Sequence, residues 1–330
     1  MTDHVTSYGE AIREGFEYLL TTYPECFVIG QGLWSPWYVG NTMTDLDKTF
    51  GKDRVIDTPV SEAATTGLAV GASLCGSKPI VVHPRIDFML YAMDPIVNQA
   101  AKWNHMTGGG KSPGLTIRGI VNRGGEQGAQ HSQSLHAWFA HIPGLRVVMP
   151  STVADARDML IASVLCPDPV IYIDDRWLYE QEDKITSIDP NIDLKKMKPQ
   201  ILREGTDLTI VSCGFSSKLA IEVSALLEKE NILSSEVVDL RVLNPLEIDL
   251  IIDSVNKTKN LLVIDGGTKT CGYAAEIITS TMEMIDINRL DNNPRRITLP
   301  DCPAPTSRVL EDAYYPDVNR VKEIILDEFI

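Results

Sequence analysis

Residues 54–83 read RVIDTPVSEAATTGLAVGASLCGSKPIVVH. Residues 54–59 form a short strand stopped by Pro59, Ser61 can cap a helix over 62–75, and 79–83 are a second apolar strand. Strand, helix and strand in succession make one parallel crossover unit, and the same alternation runs outward on both sides. On the N-terminal side, the spacing of Ala11, Ile12, Phe16, Leu19 and Leu20 predicts a helix over 8–22, followed by a buried strand at 26–30. On the C-terminal side come a helix over 87–105, bent or restarted at Pro95, and strands at 114–118, 145–150 and 169–173. A polar, Gly-rich loop occupies 122–134 and a helix 155–165. The fold class implied is α/β, with open, mostly parallel sheets covered by helices.

The alternation breaks off in the charged, Pro-containing run beginning EQEDKITSIDPNIDLKKMKPQ at Glu180. It then restarts, with strands at 207–213, 235–239 and 260–265 and helices at 216–230, 246–254 and 273–285. This gives two domains, 1–185 and 205–330, joined by a linker over 186–204. In the helix over 62–75, the small residues Thr65, Gly67, Ala69, Gly71, Ala72 and Ser73 allow another backbone to come close, either from this chain or from a partner subunit.

Composition narrows the function classes. The chain has 330 residues, with 30 Lys+Arg against 45 Asp+Glu and a net charge of −15. That balance argues against nucleic acid, whose binding needs a basic footprint, and against an anionic membrane surface. No run of about 18 apolar residues offers a membrane span, and the N-terminal residues resemble neither a signal nor a transit peptide. The six cysteines are scattered without CxxC spacing, which points to reduced thiols and a cytoplasmic location.

Several familiar motifs fail on inspection. Gly108-Gly109-Gly110-Lys111-Ser112 lacks the leading glycine of a phosphate loop and follows a helix, not a strand. No G-x-G-x-x-G follows any strand. The six histidines show no metal-ligand spacing, so no metal site is assigned to this chain. Ser132 and His136 stand four residues apart without a nucleophile elbow. What remains is Glu62, at the start of a helix that follows a strand, where open α/β sheets present groups to ligands, and His131, in the loop Gly128-Ala129-Gln130-His131-Ser132-Gln133-Ser134. On the residues alone, Glu62 also fits a carboxylate that complements a helix dipole, and His131 a surface-loop histidine.

These segments carry a resemblance to a known family. Arg54–Glu62, RVIDTPVSE, resembles the RVIDTPISE segment of 2-oxoacid dehydrogenase E1 β subunits. Phe88–Lys102 resembles their F-x-x-x-A-x-D-Q-I-x-N-x-A-A-K helix, and the run from Gly128 through Phe139-Ala140-His141 and Pro143-Gly144-Leu145 is similar to G-x-Q-H-S-Q-S … F-A-H-x-P-G-L. Met149-Pro150-Ser151-Thr152 with Asp155-Ala156 resembles their V-P-x-T-x-x-D-A. Asp239-Leu240-Arg241 with Asn244-Pro245-Leu246, Gly272–Ile277, and Pro303-Ala304-Pro305 with Leu310-Glu311 extend the likeness nearly end to end and in order.

The resemblance implies a thiamin-diphosphate pyrimidine-binding domain followed by a transketolase C-terminal-like domain. It implies thiamin diphosphate shared with a separate E1 α subunit in an α2β2 heterotetramer, with Mg²⁺ held by the α subunit; the G-D-G motif of that subunit is absent here. It implies oxidative decarboxylation of pyruvate or a similar small 2-oxoacid, with acyl transfer to lipoamide on an E2 acyltransferase. By position, Glu62 is the carboxylate that activates the cofactor through its aminopyrimidine, Phe88 packs on the ring, Val60 lines the pocket, and His131 handles substrate protons and acyl transfer.

Gln31 and Tyr91 are cofactor-side positions where this chain departs from the family. Gln31 stands where a Glu is common and Tyr91 where a Gln is, while Val82–Phe88 introduces His83, Arg85 and Asp87. Because these changes gather at the pocket, two further readings share its residues: the β half of a split transketolase-like or acyloin-forming enzyme without a lipoyl acceptor, and a non-catalytic assembly subunit.

Overall fold

The computed structural model describes residues 3–330. They form two compact units. The first takes the residues up to Asn122, then Trp138–Met197 and Leu243–Pro245; the second takes Arg123–Ala137, Lys198–Val242 and Leu246–Ile330.

The first unit is built on a seven-stranded sheet. Its order from edge to edge is Val242–Asn244, Arg146–Val148, Val170–Asp175, Thr116–Val121, Lys78–His83, Cys26–Gly30 and Val55–Asp57. The pairings from Arg146–Val148 to Val55–Asp57 are all parallel, as the alternation of strands and helices requires. Helix Tyr8–Thr22 begins with a capping box, in which the Ser7 side chain accepts from the Glu10 N–H at 3.3 Å and Glu10 reaches back to the Ser7 N–H. Its buried face, Ala11, Ile12, Phe16, Leu19 and Leu20, is the one that the spacing predicts. Gly15 lets it close on helix Val153–Leu165: a Cβ there would lie 3.3 Å from the Arg157 carbonyl oxygen.

The expected single helix over 87–105 is three pieces: a 3₁₀ turn Phe88–Ala92, a π-helical stretch Asp94–Ala100 and an α-helix Ala101–Met106. Pro95 is the physical reason, since it has no N–H to donate and its ring crowds the preceding turn, so the regular ladder cannot pass through. The stretch 31–50, unassigned from sequence, holds the short helices Pro36–Val39 and Leu46–Phe50 with a 3₁₀ turn between them. The charged run after residue 180 is not wholly irregular. Glu182–Ile185 pairs antiparallel with His4–Ser7, and Gln200–Arg203 pairs antiparallel with Ser235–Asp239.

The second unit has a five-stranded sheet in the order Arg295–Leu299, Leu261–Thr268, Leu208–Ser212, Ser235–Asp239 and Gln200–Arg203, parallel except at the last pair. Ile210, Val237, Leu262 and Ile264 from the sheet bury against Leu219, Val223 and Leu227 of helix Phe215–Lys229 and Val321 and Ile325 of helix Val318–Phe329. The helix expected over 246–254 runs Asp249–Thr258, ended by Lys259 in a left-handed conformation with φ 62°. No helix among the described residues is long and apolar enough to cross a membrane.

Candidate active site

The sheet order creates the site. The chain leaves Cys26–Gly30 for Val55–Asp57 on one side, then returns to Lys78–His83 on the other, so Gly30 pairs with Asp57 and with Val82. Such a reversal opens a crevice beyond the carboxyl ends of the strands. Gly30 is required there: a Cβ on it would sit 2.2 Å from the Val82 carbonyl oxygen. Asp57 closes the turn by accepting the Leu33 N–H at 3.2 Å. The crevice is a cavity of about 590 Å³ lined by Gln31, Val60, Ser61, Glu62, Ala63, Phe88 and Tyr91. Behind it, Gln31, Glu62, Thr65 and His83 border a second void of about 10 Å³, the size of one water molecule.

Glu62 is the first residue of helix Glu62–Leu74 and only 8% exposed. No hydrogen bond or ion pair to another described residue engages its carboxylate, while the helix N-terminus favours negative charge there. The Gln31 Oε1 atom is likewise buried without a hydrogen-bond partner. Phe88 is half-buried, and Val60 and Tyr91 are exposed at the rim. His83 is buried, with Nε2 3.2 Å from the Thr66 hydroxyl. Burial pushes its pKa down to about 4, so the ring is neutral at physiological pH.

The structure thus brings five of the six sequence-derived site residues to one cavity: Gln31, Val60, Glu62, Phe88 and Tyr91. His131 lies in the second unit, half-buried on the loop 123–137, its N–H donating to the Gly128 carbonyl at 3.3 Å. Where that loop runs into helix His136–Ala140 stands a group that sequence reasoning did not find. His136 Nε2 lies 2.9 Å from Asp265 Oδ1, both side chains being nearly fully buried, and its Nδ1 is 3.0 Å from the Ser134 hydroxyl. More than a hundred residues separate His136 from Asp265, so spacing carries no trace of the pair. Among the described residues no cluster of three or more His, Cys, Asp or Glu side chains can hold a metal ion.

The chain's two halves match known domains. Residues 5–181 match the transketolase pyrimidine-binding domain and 197–321 the transketolase C-terminal domain. A solved split-gene transketolase, an inactive β4 tetramer, superposes with a TM-score of 0.74 at 20% identity, over 98% of this chain and 96% of that one. The fold class is therefore transketolase-like. The mitochondrial pyruvate dehydrogenase E1 component subunit β of Saccharomyces cerevisiae is 38% identical over 84% of this chain and 77% of its own. The acetoin:2,6-dichlorophenolindophenol oxidoreductase subunit β of Cupriavidus necator is 35% identical over 94% of each chain. The corresponding Bacillus subtilis subunit is 33% identical over 98% of this chain and 97% of its own. This chain belongs to the transketolase-like family of thiamin-diphosphate-dependent 2-oxoacid dehydrogenase E1 β subunits.

The cavity suits one half of that cofactor. An aminopyrimidine has two apolar faces and polar atoms on its edge, and here an aromatic ring, Phe88, stands beside a partnerless carboxylate, Glu62, and the orphaned Gln31 Oε1.

Proposed function

We propose that this chain is the β subunit of an E1 enzyme that oxidatively decarboxylates pyruvate or a similar 2-oxoacid and passes the acyl group to lipoamide, active only with an α subunit. The observation that carries the reading is Glu62: a buried, partnerless carboxylate at a helix start, opening on a cavity with an aromatic wall. The carboxylate opens on that cavity, where a ligand can complete its hydrogen bonds. Thiamin diphosphate, when bound, supplies the nucleophilic carbon that attacks the keto group. Glu62 holds a proton at the pyrimidine edge, Phe88 packs on the ring face, and Gln31, Val60 and Tyr91 shape the remaining wall. His131 moves protons to and from the substrate and assists acyl transfer.

Mg²⁺ and the diphosphate belong to the α subunit in this reading. The helix that starts at Glu62 supports an α partner and an α2β2 assembly. Ala63, Ala64, Gly67, Leu68 and Gly71 are exposed, and a Cβ at Gly67 or Gly71 would meet nothing within 4 Å in this chain. That face can take a second backbone at close range. The division 1–185, 186–204 and 205–330 remains our proposal for domains and linker. A cytoplasmic location is supported by the six cysteines, none of them in a disulfide, and is checked by fractionation of the native cells.

The test is co-purification with the α subunit and ferricyanide reduction in the presence of thiamin diphosphate, Mg²⁺ and a panel of 2-oxoacids. Turnover with one of them is expected; silence across the panel with cofactor bound would sink the reading. A second reading has its own support, in the likeness to two acetoin oxidoreductase β subunits over nearly the whole chain and in Gln31 facing the cavity in place of a carboxylate. In that reading an acyloin, tested beside the 2-oxoacids, is turned over, and a lipoyl domain makes no difference to the rate.

A further inference from the structure

The loop over 123–137 is held to the second unit on both sides of His131. Toward its start, the Glu126 N–H donates to both carboxylate oxygens of Glu311, at 3.2 and 3.0 Å. Toward its end, Ser134 meets His136 Nδ1 at 3.0 Å, and the opposite ring nitrogen lies 2.9 Å from Asp265. Asp265 is itself fixed. It sits on strand Leu261–Thr268, and its two oxygens accept the N–H groups of Gly267, at 2.8 Å, and of Ala274, at 3.0 Å, in the first turn of helix Tyr273–Met282. The His136 ring is confined as well: the Tyr273 ring meets it edge-on with centroids 6.1 Å apart, and a Cβ on Gly267 would come within 3.2 Å of its Cε1.

The protonation pattern follows from charge. Burial alone would raise the Asp265 pKa, but His136 and the two backbone N–H groups outweigh it and hold the carboxyl below its ordinary value. The Nε2 edge of the ring faces that carboxylate at 2.9 Å, and Nδ1 faces the Ser134 hydroxyl at 3.0 Å.

We propose that His136 is a positioning residue for the loop that carries His131, fixing residues 128–135 by linking Ser134 on one ring nitrogen to Asp265 on the other. The catalytic consequence rests on the role given to His131 above; the anchoring does not. Within this segment Gly128 takes a left-handed turn, with φ +73°, and Ala129 and Gln130 are exposed.

Hydrogen exchange of the full chain assembled with its α subunit tests the anchoring. His136→Phe keeps the ring and its edge contact with Tyr273 but removes both polar links. Protection of the amides of residues 128–135 is expected to fall at least tenfold, with the strands of the second sheet unchanged. In turnover, kcat falls while KM and thiamin diphosphate affinity hold within about twofold, and His136→Asn, which keeps a polar atom where Nδ1 lies, recovers part of the loss. Should His136→Phe fail to fold, Ser134→Ala carries the same test, with a smaller loss of protection expected over the same amides. Unchanged exchange in the folded variant overturns the proposal. Loosened exchange in an assembly that turns over no 2-oxoacid keeps the anchor and removes the E1 reading instead.

Discussion

Arg118 and Asp174 stand on adjacent strands of the first sheet and form a two-pronged ion pair with no solvent exposure on either side, Nε to Oδ1 at 2.8 Å and Nη2 to Oδ2 at 2.7 Å. Tyr179 completes the group, accepting from Arg118 at 2.9 Å and donating to Asp174 at 2.5 Å, and Thr42 accepts from the guanidinium at 3.0 Å. Burial works against the charged guanidinium, but the Asp174 carboxylate keeps it firmly protonated. Because every prong is satisfied, the cost of removing one partner is that of a stranded buried charge. Asp174→Asn or Arg118→Met is expected to cost about 3–5 kcal/mol in urea unfolding, and the double replacement by apolar residues considerably less. Equal losses in the single and double variants would show that packing, not charge, dominates.

The buried His83 gives the first unit an acid-sensitive point. Its pKa in the fold is about 4, against about 6.5 in the unfolded chain. Below pH 6.5 the unfolded chain takes up a proton that the folded chain refuses, so stability is complete above that value and declines as pH falls toward 4. The linkage amounts to about 3 kcal/mol over that window. His83→Phe, similar in shape and unable to titrate, should flatten the fall in urea midpoint between pH 6.5 and 4.5. A fall as steep as that of the parent chain would place the acid sensitivity elsewhere.

Glu62→Gln separates carboxylate chemistry from packing. The amide fills nearly the same volume at the helix start, so melting temperature should change little, since no described residue depends on the carboxylate for a hydrogen bond. Turnover of the assembled enzyme should drop by roughly 10²–10⁴, the usual worth of a positioned acid or base. The assignment is falsified if Glu62→Gln retains near-full turnover.

The alternation of apolar runs and amphipathic stretches was enough to place the parallel sheets and most helices, because each such element writes its own period into contiguous residues. Helix Tyr8–Thr22 and strand Ser235–Asp239 agree with expectation to the residue. The misses have the opposite character. Strands His4–Ser7 and Glu182–Ile185 are short, partly exposed and stabilised by each other from opposite ends of the first unit's sequence, so neither has a pattern of its own. The break-up of the helix at Pro95 was legible as a disturbance, but not as a π-helical turn. At the site, Glu62 and Phe88 were found through their motifs, and the sheet reversal explains why they meet. His136 escaped because its meaning lies in Asp265, a contact across more than a hundred residues. His83 was legible as a departure, and only its burial makes it a neutral group behind Glu62.

His131 and Glu62 lie on different units of the chain, and the roles proposed for them are separable by experiment. In that proposal Glu62 serves the step that activates the cofactor, common to every acceptor, and His131 serves proton movement on the substrate and the hand-over of the acyl group. His131→Ala should therefore leave thiamin diphosphate affinity within about twofold, as followed by fluorescence titration of the assembled enzyme. Acyl transfer to a lipoyl domain should decline by roughly 10²–10⁴, and by more than ferricyanide-coupled decarboxylation does. If cofactor affinity fell in step with transfer, the imidazole would be supporting the binding cavity itself. If neither changed, His131 would be a loop histidine with no part in the reaction, leaving Glu62 as the chain's remaining proposed catalytic group.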